Sequence, residues 1–295
     1  MTVNLTAAAE FMATHARVLD RRRFDFLLGS GDAAGALSAL DAYRNPDGGY
    51  GWGLEPDLRS PESQPGAALH AFQVFEEISP QAAPRAAAQA EGLAGWLASV
   101  TLPDGGLPFS LPLTVRAGTA PWWSGDDHTT SSLQITAVTA AAAHRVPSLA
   151  GHPWLARATR YCLDTIAALD ERPHAYVLSF AVHFLDAVHA TEPEAPALLE
   201  RLATFIPESG EIQVEGGTAD EKLTPLDIAP YPGRPARALF TPDRIAADLD
   251  RLAAGQREDG GWTVEYAKIS PAGALDWRGA VTVGAVTVLQ RNDRL

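Results

Sequence analysis

This 295-residue sequence lacks several features that define other classes of protein. Cys162 is the only cysteine, which excludes an intramolecular disulfide and any zinc site built on several cysteines. No segment approaches the roughly 20 consecutive apolar residues that a membrane-spanning helix needs. The N-terminus also lacks the basic segment and apolar core of a secretory signal. We therefore expect a soluble, cytoplasmic protein without an integral membrane segment.

Basic residues are also scarce. The sequence has 23 Lys and Arg against 36 Asp and Glu, for a formal net charge of −13 at pH 7. Such a chain repels the phosphates of nucleic acids and of anionic lipids, so neither is an expected partner. The hydrophobic content of 46% is that of an ordinary globular protein, which predicts a sizeable buried core.

A turn sequence recurs along the chain. It reads Asn-Pro-Asp-Gly-Gly-Tyr-Gly-Trp-Gly at 45–53 and Gln-Arg-Glu-Asp-Gly-Gly-Trp at 256–262. Weaker copies are Pro-Asp-Gly-Gly-Leu at 103–107 and Glu-Ser-Gly-Glu at 208–211. Asp-Gly-Gly predicts a tight turn, because Asp bonds back to its own backbone and Gly accepts a positive φ without steric cost.

Between these turns the apolar residues recur at helical spacing, and no alternating strand pattern is present. Helices are predicted over 5–22, 33–43, 66–78, 82–100, 129–145, 154–168, 175–190, 195–206, 243–254 and 275–289, with an irregular crossing over 211–240. Gly48 and Gly260 lie 212 residues apart, and four steps of about 53 residues, each two helices long, would fill that distance. The expected fold is all-α: an α/α-toroid of helical hairpins in a single domain, residues 1–295.

The turns resemble a known repeat. Gln256-x-x-Asp259-Gly-Gly-Trp262 is similar to the Gln-Trp repeat of squalene–hopene and oxidosqualene cyclases, and Asp47-Gly-Gly-Tyr-Gly-Trp52 resembles a variant of it. The same toroid carries the β subunits of protein prenyltransferases. The resemblance implies inner and outer rings of helices around a central cavity, over most of the chain. Related toroids include polysaccharide lyases and glycoside hydrolases, so the repeat indicates the fold more than the reaction.

Other motifs of these families are incomplete here. The cyclases carry Asp-x-Asp-Asp, whose central Asp protonates an alkene or an epoxide, whereas this chain has Gly125-Asp-Asp-His128, one carboxylate short. A length of 295 residues leaves no room for the second helical domain of those cyclases. Cys162 does not match the zinc-binding motif of the prenyltransferases. No cofactor and no metal are expected.

Asp126, Asp127 and His128 form the sharpest polar cluster, directly after Trp122 and Trp123. Two adjacent carboxylates repel, so one could keep its proton and act as a general acid, oriented by His128. The two Trp rings could then line a cavity and stabilise a carbocation. The alternative is that one Asp caps the following helix, which lowers the carboxyl pKa and disfavours acid catalysis.

Glu55 and Asp57 form a second candidate pair, in a long loop after the first turn. With a third carboxylate across a cavity they would suit glycoside hydrolysis, one as acid and one as base or nucleophile. The alternative is a salt bridge to Arg59 on the rim of the fold.

Aromatic residues follow or flank the turns: Tyr50, Trp52, Trp262, Tyr266 and Trp277. Most should pack in the core or between repeats, while one or two could face the cavity and bind substrate. The histidines show no metal-ligand spacing, and no phosphate-binding loop or nucleophile elbow is present.

Three functions remain open at this point. The first is a terpene-cyclase-like enzyme that binds an apolar isoprenoid and starts cyclisation by protonation from Asp126 or Asp127. The second is a carbohydrate-active toroid, a hydrolase or a lyase, that uses Glu55, Asp57 and one of those aspartates. The third is a non-catalytic ligand-binding or scaffold protein.

Overall fold

A computed structural model describes residues 3–78, 83–266 and 268–295. Within them the chain forms twelve α-helices and one two-stranded antiparallel sheet, so the all-α prediction is confirmed. The helices are α1 Leu5–His15, α2 Val18–Leu27, α3 Ala33–Leu40, α4 Pro65–Ile78, α5 Ala83–Val100, α6 Leu133–His144, α7 Pro153–Ala167, α8 Ala175–Val188, α9 Ala195–Ala203, α10 Pro225–Ile228, α11 Pro242–Ala254 and α12 Pro271–Arg291. The strands β1 Ile212–Gln213 and β2 Lys222–Leu223 lie in the crossing predicted to be irregular. None of the described helices is both long enough and apolar enough to span a bilayer.

Local chemistry explains where most helices begin. A side-chain oxygen caps the first turn of five helices, from Asn4, Asp32, Ser132, Thr241 and Ser270. Five helices begin with proline, namely α4, α7, α10, α11 and α12. Proline is suited to this position because the first helical residue has no intrahelical partner for its N–H.

The single helix predicted over 5–22 is wrong, because the backbone is extended at Ala16 and Arg17. Arg17 donates hydrogen bonds to the carbonyl oxygens of Gly53 and Leu54, each at 3.0 Å, and to Asp20 at 2.6 Å. These acceptors satisfy a largely buried guanidinium, and the break lets Arg17 reach them. The helix predicted over 129–145 starts later, because its cap is Ser132. The start of the helix predicted from Ala82 lies outside the described residues.

The three Asp-Gly-Gly turns have one hydrogen-bond pattern. One Asp oxygen accepts the amide of the second glycine, in the pairs Asp47–Gly49 (2.9 Å), Asp104–Gly106 (3.1 Å) and Asp259–Gly261 (3.2 Å). The same oxygen accepts a side-chain donor from further along the chain, from Ser63 (2.8 Å), Ser131 (2.6 Å) and Arg278 (2.7 Å). The copy at 208–211 makes the first of these bonds with Ser209 in place of Asp: the Ser209 hydroxyl accepts the amide of Glu211 at 3.2 Å. The turn predictions are therefore confirmed.

The first glycine of each Asp-Gly-Gly turn packs against the backbone of a different helix. A Cβ atom at Gly48 would lie 3.1 Å from the carbonyl oxygen of Gly92 in α5, and one at Gly105 would lie 2.9 Å from that of Arg157 in α7. At Gly260, after α11, the corresponding atom would lie 2.1 Å from the carbonyl oxygen of Ala7 in α1. The last turn of the chain therefore packs on the first helix.

Further contacts join the two ends of the chain. Gln256 accepts the N–H of Asn4 at 2.8 Å and donates to its carbonyl oxygen at 2.9 Å. Helix α12 contacts both α1 and α2. These contacts place the C-terminal helix pair directly beside the N-terminal pair.

Replacing Gly260 with alanine tests this contact. G260A should destabilise the fold by more than about 2 kcal/mol, because φ is +90° there and the new methyl would overlap the Ala7 carbonyl. The loss is measured as a lower Tm and a lower free energy of unfolding in denaturant.

The matched control is G95A, in the interior of α5, where an added Cβ meets nothing within 4 Å. G95A should be neutral or stabilising by up to about 1 kcal/mol, from helix propensity. Equal stability of the two variants would contradict the packing of the last turn on α1.

Candidate functional site

The even-numbered helices surround a cavity of about 340 Å³, to which each of them contributes lining residues. Its middle is apolar, lined by Leu69, Val138, Ala141, Ala142, Ala280 and Val281. The volume lies within the range of small-molecule sites, about 300–1,000 Å³. The two ends of the cavity differ in chemistry.

At one end, two rings lie at the cavity wall and a buried carboxylate binds each of them. His70 and Trp277 line the cavity with their ring centroids 5.9 Å apart. Glu55 lies 2.7 Å from Nε2 of His70, and Asp57 accepts a hydrogen bond of 2.8 Å from Nε1 of Trp277. The loop that contains Glu55 and Asp57 therefore places both carboxylates behind the wall, where they orient the two rings.

The hydrogen bonds of His70 allow it to hold or release a proton. An ionised Glu55 can only accept, so Nε2 of His70 carries a hydrogen. Nδ1 lies 2.9 Å from the side-chain amide of Gln73, which can present either its oxygen or its nitrogen. With the amide nitrogen towards Nδ1 the imidazole is neutral, and with the oxygen there it is protonated. His70 can thus serve as an acid or a base, in a position fixed by Glu55.

The environment of Asp57 favours its protonated form. This residue is only 4% exposed, and burial raises its pKa to about 6. The hydrogen bond from Trp277 lowers the pKa and the neighbouring Glu55 raises it, but burial has the largest effect. Asp57 therefore keeps its proton in mildly acidic solution.

Tyr266 and Glu221 lie behind this end and are not among the residues that line the cavity. The ring of Tyr266 packs edge-on against Trp277 with centroids 5.5 Å apart, and burial near three carboxylates, Glu221 and the two of the loop, raises its pKa. Glu221 accepts a hydrogen bond of 2.8 Å from the hydroxyl of Tyr176. Acidic and aromatic groups from four parts of the chain thus meet here.

The opposite end of the cavity is ionic. Its charged lining residues are Arg23, Glu76, Glu77, Arg145, Asp186, Arg234 and Arg291. Arg23 lies in the middle of α2, and the others lie in the last turns of α4, α8 and α12, just after α6, or in the segment after α10. His183 also lines the cavity, and burial together with Arg145 lowers its pKa to about 4, so it is neutral.

Asp126, Asp127 and His128 are not brought to the cavity. All three are exposed, and none is among its lining residues. The hydrogen bond from Arg116 lowers the pKa of Asp126, and hydrogen bonds from Thr130 and Thr129 lower that of Asp127. Asp127 caps the turn before α6, while Ser132 caps the helix itself. A low pKa and full exposure are unsuited to the general acid that the sequence predicts.

The aromatic residues considered as substrate contacts occupy different environments. Trp277 lines the cavity, whereas Tyr50, Trp123 and Trp262 are buried in the hydrophobic core. Trp52 and Trp122 lie at the surface, with 58% and 46% of their area exposed. These five residues have packing or surface positions outside the cavity lining, and Trp277 is the one of these six candidates that contacts the cavity.

His70, Gln73 and Glu221 are the site residues that the sequence patterns do not select. Metal-ligand spacing gives no reason to choose His70. The usable signal is a histidine in the apolar segment 69–75 directly after a loop with two carboxylates. Within the described ranges no group of three or more His, Cys, Asp or Glu side chains is arranged to hold a metal ion.

Comparison of the sequence with models of known protein families and with characterised proteins finds no match.

Because the pKa of Asp57 is raised, the stability of the fold should depend on pH. The D57N substitution should remove this dependence. The ordinary carboxyl pKa of 3.8 applies to the unfolded chain and about 6 to the folded one, so between these values the folded state binds more protons. The free energy of unfolding should therefore fall as pH rises from about 4 to 7, by the order of 2 kcal/mol. Denaturant unfolding at several pH values should show this fall for the wild type and much less of it for D57N.

D126N is the control. Asp126 is exposed and its pKa is lowered, so it titrates below this pH window and its replacement should leave the slope unchanged. An identical slope in wild type and D57N would show that Asp57 does not titrate as described.

Proposed function

We propose that residues 1–295 form a single-domain α/α-toroid and that the cavity is its ligand-binding site. The proposal is supported by the alternation of the helices: the even-numbered ones line the cavity, and no odd-numbered helix does so within the described residues. It is also supported by the contacts of α12 with α1 and α2, which would close the ring.

The function that this geometry favours is a terpene-cyclase-like enzyme acting on an apolar isoprenoid. The observation that carries the proposal is a cavity with an apolar middle that ends at a proton-bearing group, His70, and the indole ring of Trp277. The side chains of the middle suit a hydrocarbon chain. Trp277 lines the cavity and would present its ring to a carbocation, which the ring quadrupole attracts, while Tyr266 packs edge-on against it.

The proton source in this proposal is the His70–Asp57 end of the cavity and not Asp126 or Asp127. A proton from His70 adds to a substrate double bond, the resulting cation closes a ring, and loss of a proton to the same base ends the reaction. The net change is an isomerisation, which needs no co-reactant. Glu55 is the positioning residue for His70, and Asp57 in its neutral form holds Trp277 without adding a negative charge.

A carbohydrate-active enzyme is the second candidate, because the carboxylates of Glu55, Asp57 and Glu221 gather around Tyr266. Paired carboxyl groups are the usual machinery of glycoside hydrolysis. Ligand binding distinguishes the two candidates.

Filling the cavity tests whether it binds the ligand. Gly284 lines the cavity in α12, and a Cβ there meets nothing within 4 Å, so G284L should fold while its side chain occupies the cavity. Thermal shifts are measured with farnesol, geranylgeraniol, squalene and neutral and acidic oligosaccharides. A ligand at about 100 times its dissociation constant stabilises the fold by about 2.7 kcal/mol. We expect shifts with isoprenoids for the wild type and none for G284L.

The control is G95L, a helix glycine with the same free space but outside the cavity lining. It should bind like the wild type. Shifts with sugars alone would favour the carbohydrate-active enzyme, and isoprenoid binding that survives in G284L would contradict the proposed site.

Turnover of the isoprenoids, followed by gas chromatography and mass spectrometry, tests the proton source. H70Q should lower kcat by at least about 100-fold, the usual contribution of general acid–base catalysis. Wild-type activity should also fall as pH rises through about 6, where Asp57 ionises. The double variant D126N/D127N should keep wild-type activity. If D126N/D127N were inactive and H70Q active, the general acid would be Asp126 or Asp127, as the sequence predicts.

A further inference from the structure

The ionic end of the cavity contains two guanidinium groups that donate no hydrogen bond within the described residues, those of Arg145 and Arg291. The closest carboxylate oxygens to Arg145 are those of Asp186 at 3.7 Å and Glu76 at 4.0 Å, both too far for a hydrogen bond. Arg291 lies over the ring of Tyr231, 4.5 Å from its centroid, and pairs with no carboxylate in the described ranges.

The other two arginines of this end have partners. Arg23 donates to both oxygens of Glu77, at 2.9 and 2.6 Å, and Arg234 donates to Asp186 at 2.8 Å. The unused donors are therefore confined to Arg145 and Arg291. Each guanidinium has five N–H groups in a planar fork that matches a carboxylate or a phosphate.

Helix ends account for part of this arrangement. Arg145 is the C-cap of α6 and Arg291 is the last residue of α12, and the C-terminus of a helix favours a cation. That effect requires a positive charge only. It does not require both guanidinium groups to line one cavity. Arg291 is exposed and Arg145 is 26% exposed, so water can satisfy their donors in the free protein and an anion can displace that water.

Neighbouring groups are compatible with a bound anion. Tyr231 lines the cavity beside Arg291, and burial raises its pKa, so its hydroxyl remains a donor. Burial also raises the pKa of Glu76, and this carboxyl makes no hydrogen bond within the described residues. Protonation of Glu76 would offset the charge of an arriving anion.

We propose that Arg145, Arg291 and Tyr231 form a binding site for a compact oxyanion, a carboxylate or a phosphate, on a ligand whose apolar part fills the cavity. The inference rests on the proposed ligand-binding role of the cavity but not on the reaction at its other end. The ligand is then an amphiphile, with its charged head between the arginines and its apolar end at His70 and Trp277.

The test compares three probes of equal chain length, dodecyl phosphate, dodecanoate and dodecanol, below their aggregation concentrations. Inorganic phosphate, at constant ionic strength, probes the oxyanion site alone. Dissociation constants are measured by calorimetry for the wild type, R291Q and R294Q. Arg294 is the matched control, because it follows α12 closely but pairs with Asp250 outside the cavity.

At least one dodecyl anion should bind the wild type and R294Q at least 10-fold more tightly than dodecanol, and R291Q should lose this preference. The preferred anion identifies the head group as phosphate or carboxylate. Dodecanol binding without any preference for the anions would overturn the oxyanion site and leave the cavity proposal intact. Inorganic phosphate that binds wild type and R294Q but not R291Q, with no binding of the chains, would support the oxyanion site and overturn the cavity proposal. A preference retained in R291Q would overturn the assignment of Arg291.

Discussion

The hydrogen bond from the second glycine amide to the Asp oxygen, made in each Asp-Gly-Gly turn, is the constraint on which the rest of the structure depends. It forces the first glycine to a positive φ, between 90° and 95°, and places it against the backbone of another helix. The loops that follow the turns then meet. Arg59, in the first loop, contacts two other parts of the chain: its backbone N–H donates to the hydroxyl of Thr119 at 2.9 Å, and its guanidinium donates to Asp276 at 2.7 Å.

Because these loops meet, the site has two layers: the rings of His70 and Trp277 at the cavity wall, and the carboxylates of Glu55 and Asp57 behind them. Glu55 and Asp57 are too deeply buried to be exposed surface acids, and they contact the cavity through His70 and Trp277. A carboxylate behind an imidazole fixes which nitrogen carries the hydrogen, and one behind an indole fixes the plane of the ring. Burial then raises the pKa of Asp57 because the charged form loses its hydration. The packing of one loop beneath α4 and α12 thus determines both the position of Asp57 and its protonation.

The cavity is polarised along its length. Acidic and aromatic groups gather where α4, α8 and α12 begin, and the two arginines without hydrogen-bond acceptors among the described residues lie where α6 and α12 end. Since a helix C-terminus favours cations, the placement of Arg145 and Arg291 agrees with the helix direction. A ligand that satisfies both ends must have an apolar body and only one charged end. That requirement links the proposed chemistry at His70 to the proposed oxyanion site.

The sequence by itself determined the all-α class, most helix boundaries and the Asp-Gly-Gly turns, because caps, prolines and glycines act over a few residues. It also selected Glu55, Asp57 and Trp277. Only the tertiary structure decided which groups meet: Asp57 and Trp277 are 220 residues apart, and Glu55 reaches His70 through a loop of irregular path. The same holds for Asp126 and Asp127, whose adjacent charges suggested a shared proton. Hydrogen-bond donors lower both pKa values and both side chains are exposed, and exposure is a property of the packed chain that no local pattern encodes.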